Sequence, residues 1–482
     1  MAGRRIVVRA SHIVAHQHGR HHYLRDGVIV IEGNTIVHVG RRFSGEADET
    51  IDATHKIVTP GLISCHAHLA GSPLDKSFIE DVGPRNFYMS GLFEMLPTRA
   101  AAQDEDGIRA CVDFSMAELL KTGCTTVVEL GGLSDYTVER AGACGLRLYI
   151  GPSFRSGRWF TDDGKTVKYE WDEAAGERGF RQALAFIEKH HGAYGDRIRG
   201  ILSPAQVDTC TAGLLKRAKA ASDQMGLPLT LHTSQSVNEF QEMTRRHGMT
   251  PIEWLRNLDF LGPRTILGHA IIIGGSSWAN YPADDLRILA ATGTSVAHAV
   301  WVFARRGMAM ESFGRYLRAG INMALGTDTC PQSMIEAMKF AAIITKIMDR
   351  NTEYTSAADA FNAATLGAAR ALGRDDLGRI APGAKADLVI WDTETLSLAP
   401  VRDPIKNIVY NAQADDVETV LIDGRVVLRN RQIAGVDIKQ LARDLQVAGE
   451  RMWAAMKGVD RLGRAADALS PPLYPPFTSD DP

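Results

Sequence analysis

His66 and His68 close the apolar run Pro60-Gly61-Leu62-Ile63-Ser64-Cys65. Side chains on a strand alternate with a period of two, so both imidazoles point to one side and can meet one cation. Far along the chain, His232 follows Leu229-Thr230-Leu231, and Asp328 follows Ala324-Leu325-Gly326-Thr327. Three imidazoles and one carboxylate suit a borderline divalent metal, zinc first, with iron(II), cobalt(II) or manganese(II) as alternatives. An open coordination position would hold a water whose pKa the metal lowers toward neutral, making hydroxide available to attack a carbonyl or ring carbon. The chain supplies its own control in His16-Gln17-His18, which has the same spacing but sits among Gly19, Arg20, His21 and His22. That polar, turn-like setting marks a solvated stretch.

The elements that must position these groups follow from apolar runs of strand length, separated by amphipathic stretches of helix length. The runs span 56–64, 125–130, 146–150, 198–203, 228–231, 265–268, 294–297 and 321–326. Eight buried runs alternating with helices imply parallel strands covered on both faces, hence an α/β chain with a (β/α)8 barrel. A dinucleotide-binding sheet would want a glycine fingerprint after an early strand, and none is present. In such a barrel catalytic groups collect at the C-terminal strand ends, where His66, His68, His232, His269, His298, Glu129 and Asp328 all fall. Short strands broken by turns occupy the first 60 residues and return at 386–391 and 417–429, the texture of a small β domain built from both chain ends. An amphipathic helix beyond Gly435 and the tail Ser470-Pro-Pro-Leu-Tyr-Pro-Pro-Phe finish the chain.

His269 is expected to polarise the substrate or orient water. His298 is left open between a donor behind the site, a substrate contact and a plug for the barrel mouth. Glu129 is more often the cap of a following turn than a catalyst. The segments expected above the barrel are apolar and aromatic: Phe78, Phe87-Tyr88-Met89, Leu92-Phe93, Phe154, Trp159-Phe160, Trp301 and Phe303. They predict a pocket for an apolar small molecule, with His298, Phe87, Trp159, Trp301 and Phe303 as its substrate contacts. Packing between loops and a subunit interface are the competing explanations. Arg305-Arg306 is first a solvated pair, and second a partner for an anionic group.

The 482 residues are 45% hydrophobic and carry 54 Lys+Arg against 57 Asp+Glu, a net charge of −3. No basic stripe could follow a phosphate backbone, so nucleic acid is not an expected partner. No apolar stretch approaches the roughly 20 residues of a membrane helix, and no signal-peptide pattern opens the chain, so a cytoplasmic protein without a membrane partner is expected. The six cysteines form no CxxC pair and fit buried free thiols.

Pro60-Gly61-Leu62-Ile63 with His66 and His68, His232, His269, Gly326-Thr327-Asp328, and Gly378-Arg-Ile-Ala-Pro-Gly-Ala-Lys-Ala-Asp387-Leu-Val-Ile together resemble the amidohydrolase superfamily. The match spans nearly the whole chain. It implies a distorted barrel over 60–380, a composite β-sandwich from 1–59 and 381–435, and a separate C-terminal helix and tail over 436–482. It also implies a homo-oligomer. The sequence is most similar to the branch holding cytosine and methylthioadenosine deaminases, triazine chlorohydrolases, and phenylurea and molinate hydrolases. Binuclear members carry a lysine at the end of strand four; here that end is Ile201-Leu202-Ser203-Pro204, which implies one metal ion per chain.

The deaminase branch typically places a glutamate three residues after the strand-five histidine. Here the residue is Gln235, which can orient water or a carbonyl but has no proton to transfer. This departure leaves Asp328 as general base, with His269 or solvent serving the leaving group. The first expectation is therefore a mononuclear hydrolase of an amide, urea, carbamate or thiocarbamate bond in a hydrophobic small molecule. The alternative is an aminohydrolase or chlorohydrolase acting on a nitrogen heterocycle, and the third a non-catalytic oligomeric scaffold.

Overall fold

The computed structural model describes residues 4–78, 90–132 and 134–477. Two four-stranded parallel sheets form the barrel wall. The first orders its strands Ile198–Gly200, Arg147–Ile150, Cys124–Glu129 and Leu62–Ala67, and the second Leu229–Thr233, Thr265–His269, Ser295–His298 and Met323–Leu325. Isolated parallel bridges close the two seams, Ala67 with Asp328 at one, and Leu202 with Leu229 and Gln206 with His232 at the other. The result is the expected barrel, distorted because its seams lack full ladders. Val127, Leu148, Leu231, Leu267, Val296 and Leu325 are wholly or almost wholly buried, as strands covered on both faces require.

Crossover helices carry local start and stop signals. Asp104, Asp172, Thr211, Ser236, Thr250 and Ser333 each accept a backbone N–H from the first turn of the helix that follows. Gly226, Gly248 and Gly293 end three of them in the left-handed conformation.

Both chain ends build one eight-stranded sheet, in the order Gln432–Ile433, Arg425–Arg429, Val417–Ile422, Leu388–Asp392, Glu49–Pro60, Arg5–Gln17, Arg20–Glu32 and Thr35–Gly40. The sheet folds over on itself, so that Ile36 N–H donates to the Ala384 carbonyl at 2.8 Å. Ile13, Ile29, Ile31, Ile36, Val58 and Leu388 fill the space between its halves. The expected run 56–64 divides in two at this joint: Glu49–Pro60 pairs with Leu388–Asp392, and Leu62–Ala67 enters the barrel. The sequence hides the break because both sides of Pro60-Gly61 are buried and apolar. Arg147 locks the joint, its guanidinium reaching Asp387 at 3.1 and 3.2 Å and Asp423 at 2.9 Å.

Helix Ile438–Val459 and the turn after it pack Met452, Met456 and Leu469 against Leu74, Phe78, Met95 and Cys111. It thereby covers the short 3-10 turn Ser72–Ser77 that follows the first barrel strand. Among the described residues, no helix is long and apolar enough to cross a membrane.

Candidate metal centre

At the C-terminal end of the barrel, His66 lies at the centre of an imidazole cluster. Its ring centroid is 5.2 Å from that of His68 and 4.6 Å from those of His232 and His269. His68 Nε2 and His232 Nε2 face each other at 3.1 Å, while the Asp328 carboxylate stands 3.7 Å from His68 Nε2 and 3.8 Å from His269 Nε2. Two overlapping triplets have donor atoms within 4.8 Å of one another: His66, His232 and His269, and His66, His68 and Asp328. The four expected ligands therefore converge, and His269, expected to polarise the substrate or orient water, stands at ligand distance beside them.

Backbone geometry accounts for this convergence. Asp328 N–H donates to the His66 carbonyl at 2.9 Å, and His68 N–H donates to the Asp328 carbonyl at 2.9 Å. Gln332 fastens the same loop by donating from Nε2 to the Asp328 carbonyl at 2.8 Å. Two glycines give the His66 side chain its room: a Cβ on Gly268 would lie 2.8 Å from its ring, and one on Gly326 2.6 Å from its Cβ. His269, Asp328 and Ser234 hold φ of 81°, 57° and 56°, a left-handed conformation costly for residues with a Cβ. Such strain persists only where surrounding bonds enforce it. Here Ala270 N–H donates to the Thr233 carbonyl, Ile271 N–H to that of Ser234, and Tyr316 O–H to that of Ala270.

Burial keeps these imidazoles neutral. It pushes His68 and His232 down to about 4, and His66 and His269 well below the usual histidine range; neighbouring imidazoles add to the effect at His66, His232 and His269, and the Arg99 charge does so at His68. Burial raises the Asp328 carboxyl, against the pull of His232, Arg306 and Arg305. His232 donates from Nδ1 to the Ala205 carbonyl at 2.6 Å, which leaves the Nε2 lone pair facing the cluster. Both ring nitrogens of His66 and Nδ1 of His269 are buried without a partner. Orphaned neutral imidazoles around one carboxylate are a poor core and a good cation cage, so the residues present fit a divalent metal.

The other expected site residues divide. Phe303 is buried with its ring 4.7 Å from that of His269, beside the cluster. His298 ends the seventh strand, buried and lowered to about 3 by desolvation, and lies outside both ligand triplets. Trp159 packs against Phe93 at 5.1 Å and donates from Nε1 to Asp208 at 2.7 Å. Trp301 faces Phe340 at 6.2 Å and lies under Arg305. Phe154 stacks toward Phe180 of helix Glu173–His190, which makes it core rather than pocket wall. Phe87 lies outside the described residues. Gln235 is buried, and its amide nitrogen has no partner. Glu129 accepts from Leu69 N–H at 2.8 Å, so it braces the turn after His68 on the neighbouring strand, whereas the expectation was a cap on the turn following Glu129 itself.

Sequence reasoning missed the two clearance glycines, Gly268 and Gly326, although each immediately precedes or nearly precedes a site residue. An open cleft of about 610 Å3 between the hairpin 157–171 and helix Val237–His247 lies apart from this cluster. Of its four cations, Arg245, Arg246 and Lys168 are already paired with Glu242 and Asp162, and Lys165 is the fourth.

Residues 57–427 match the sequence model of the amidohydrolase family. The chain belongs to this family. The amidohydrolase is 30% identical over 443 residues to a 5'-deoxyadenosine deaminase of Methanothermobacter thermautotrophicus, covering 89% of this chain and 95% of that one. It is 29% identical over 411 residues to a 5-methylthioadenosine/S-adenosylhomocysteine deaminase of Thermococcus onnurineus, covering 84% and 90%. In fold it resembles a zinc-bound adenosine deaminase from Xanthomonas campestris, with a TM-score of 0.80, 22% identity, and coverage of 93% of this chain and 98% of that one. A variant atrazine chlorohydrolase from Arthrobacter aurescens with zinc and atraton gives a TM-score of 0.80 at 23% identity, over 92% and 100%. The amidohydrolase is thus a metal-dependent hydrolase with the expected barrel and chain-end sheet.

Proposed function

We infer that this amidohydrolase displaces a substituent from a ring carbon of a nitrogen heterocycle with water. The observation that carries this reading is the near full-length similarity to deaminases of 5'-deoxyadenosine and 5-methylthioadenosine, whose substrates are aminopurines. The acyl-bond hydrolysis expected first from Gln235 gives way to the ring-carbon alternative.

His66, His68, His232 and Asp328, with His269 at the same distance, would hold one divalent ion. Zinc suits this imidazole-rich donor set, and when bound it supplies Lewis acidity and brings the pKa of water toward neutral. Asp328 takes the proton of the attacking water. His269, its ring held against Phe303, orients the electrophilic ring. Gln235 donates a hydrogen bond from its free amide to a ring heteroatom, which polarises the ring without supplying a proton. Proton return to an amine leaving group therefore falls to Asp328.

A second reading rests on the same glutamine: a leaving group that departs as an anion, such as chloride, needs no proton and fits Gln235 directly. Metal analysis paired with a substrate panel tests both. We expect about one zinc per chain, and ammonia from aminopurines or aminotriazines, or chloride from chlorotriazines. Turnover confined to anilides, phenylureas or thiocarbamates would restore the acyl reading.

A further inference from the structure

Arg305 and Arg306 stand beside the metal centre, and among the described residues no carboxylate lies within ion-pair distance of either; Asp75 and Asp328 act on Arg306 only from farther off. They follow helix Val300–Ala304, which leaves the strand that ends in His298. Both are half-buried rather than solvated, which overturns the first expectation for this pair. Arg305 donates from Nη2 to Thr329 Oγ1 and from Nη1 to Cys330 Sγ, each at 3.3 Å, the two residues directly after Asp328. Its Nε–H has no acceptor. Arg306 donates from Nη1 only to the Val302 carbonyl at 3.3 Å. Among the described residues, no carboxylate forms an ion pair with either guanidinium, whereas the nearby Arg99 is paired with Asp75 at 3.0 Å.

Two adjacent half-buried cations served only by neutral acceptors are costly unless an anion arrives. Asp328 feels both charges but cannot neutralise them once its carboxylate is a metal ligand. Asp75, which also acts on Arg306, is paired with Arg99, so the two guanidinium groups keep donors to spare, with the planar fork of Arg305 held in place by Thr329, Cys330 and the Trp301 ring beneath it. We propose that Arg305 and Arg306 bind an oxyanion on the substrate, so that the preferred heterocycle carries a carboxylate or phosphate group. This inference rests on the ring-hydrolysis reading of the same site for the identity of the ring, and on the unpaired arginines for its charge.

The test is calorimetric titration of the metal-loaded full chain with three hydroxypurines, the products of the proposed ring hydrolysis, that differ only in a carboxylate, a phosphonate or a carboxamide. At least one anion should bind 10-fold or more tightly than the carboxamide, and the better of the two identifies the group. Arg305→Met and Arg306→Met should each erase most of that preference, with metal content and melting temperature retained. Arg305→Lys, which keeps the charge but not the fork, should keep part of it. Equal binding of all three compounds, binding of none, or a preference that survives both methionine variants would overturn the proposal. Anion preference without hydrolysis of any heterocycle would leave the arginine assignment standing and remove the ring-hydrolysis reading.

Discussion

Asp328 and His66 are joined through their main chains, the N–H of the first donating to the carbonyl of the second at 2.9 Å. The strand-eight carboxylate is therefore fixed relative to the strand-one imidazoles before any side chain is considered. Replacing only its carboxylate should leave this bond intact. Asp328→Asn is expected to fold normally, to bind metal more weakly, and to lose about 10²–10⁴-fold in kcat, the range for removal of a positioned acid–base group. Circular dichroism, metal analysis and turnover check the three parts. Near wild-type turnover would remove Asp328 from the chemistry.

Gly326 has no room for a methyl group, because His66 Cβ and its carbonyl oxygen would lie 2.6 and 2.7 Å away. Both atoms belong to a constrained strand end rather than to a flexible side-chain tip. Gly326→Ala should cost about 1–3 kcal/mol through overpacking and lower metal occupancy by displacing His66. Denaturant unfolding of the metal-free protein separates the packing cost from the loss of ligation. Unchanged metal affinity would show that His66 is not held by this contact.

Gln235→Glu restores a titratable group to the turn after His232. It should retain metal and keep activity, with any gain confined to substrates whose leaving group is an amine. Comparing ammonia and chloride release by the variant decides this. Complete loss of turnover with metal retained would mean that the amide does more than orient.

The metal-free protein should lose stability in mild acid. Unfolded histidines titrate near 6.5, while in the fold His68 and His232 titrate at about 4 and His298 at about 3. Below pH 6.5 the unfolded chain binds protons that the folded one refuses. The stability these groups contribute is therefore complete above about 6.5 and is lost as pH falls toward 4. Glu129 acts oppositely. Burial lifts it from 4.5 to about 8, so its contribution declines as pH rises across that interval. Melting temperatures of chelator-treated protein should fall from pH 6.5 to 5, and a flat profile would contradict neutral buried imidazoles.

What the sequence revealed depended on whether a residue's role is local. His66, His68, His232, His269 and Asp328 were legible because each ends an apolar run, and because a strand end faces one side of a barrel. Gly268 and Gly326 were not, since their clearance exists only once strands six and eight meet strand one. The half-buried setting of Arg305-Arg306 was hidden for a similar reason: two arginines in a row look solvated until the Thr329 loop and the Trp301 helix close around them. Pro60-Gly61 concealed a change of sheet because hydrophobicity does not alter across it.

The sheet that joins both ends of the chain also governs the timing of folding. Strand Glu49–Pro60 is made early, yet one of its edges is completed by Leu388–Asp392, and Asp387 and Asp423 are what neutralise Arg147. At roughly 5–20 residues per second, a ribosome needs tens of seconds to deliver those partners. Throughout that interval the nascent chain carries an open strand edge and an arginine without its two acids. The barrel is thus secured from its base only once residues 387–423 have been made, and a chain cut short before residue 387 would be a substrate for proteases rather than a smaller enzyme.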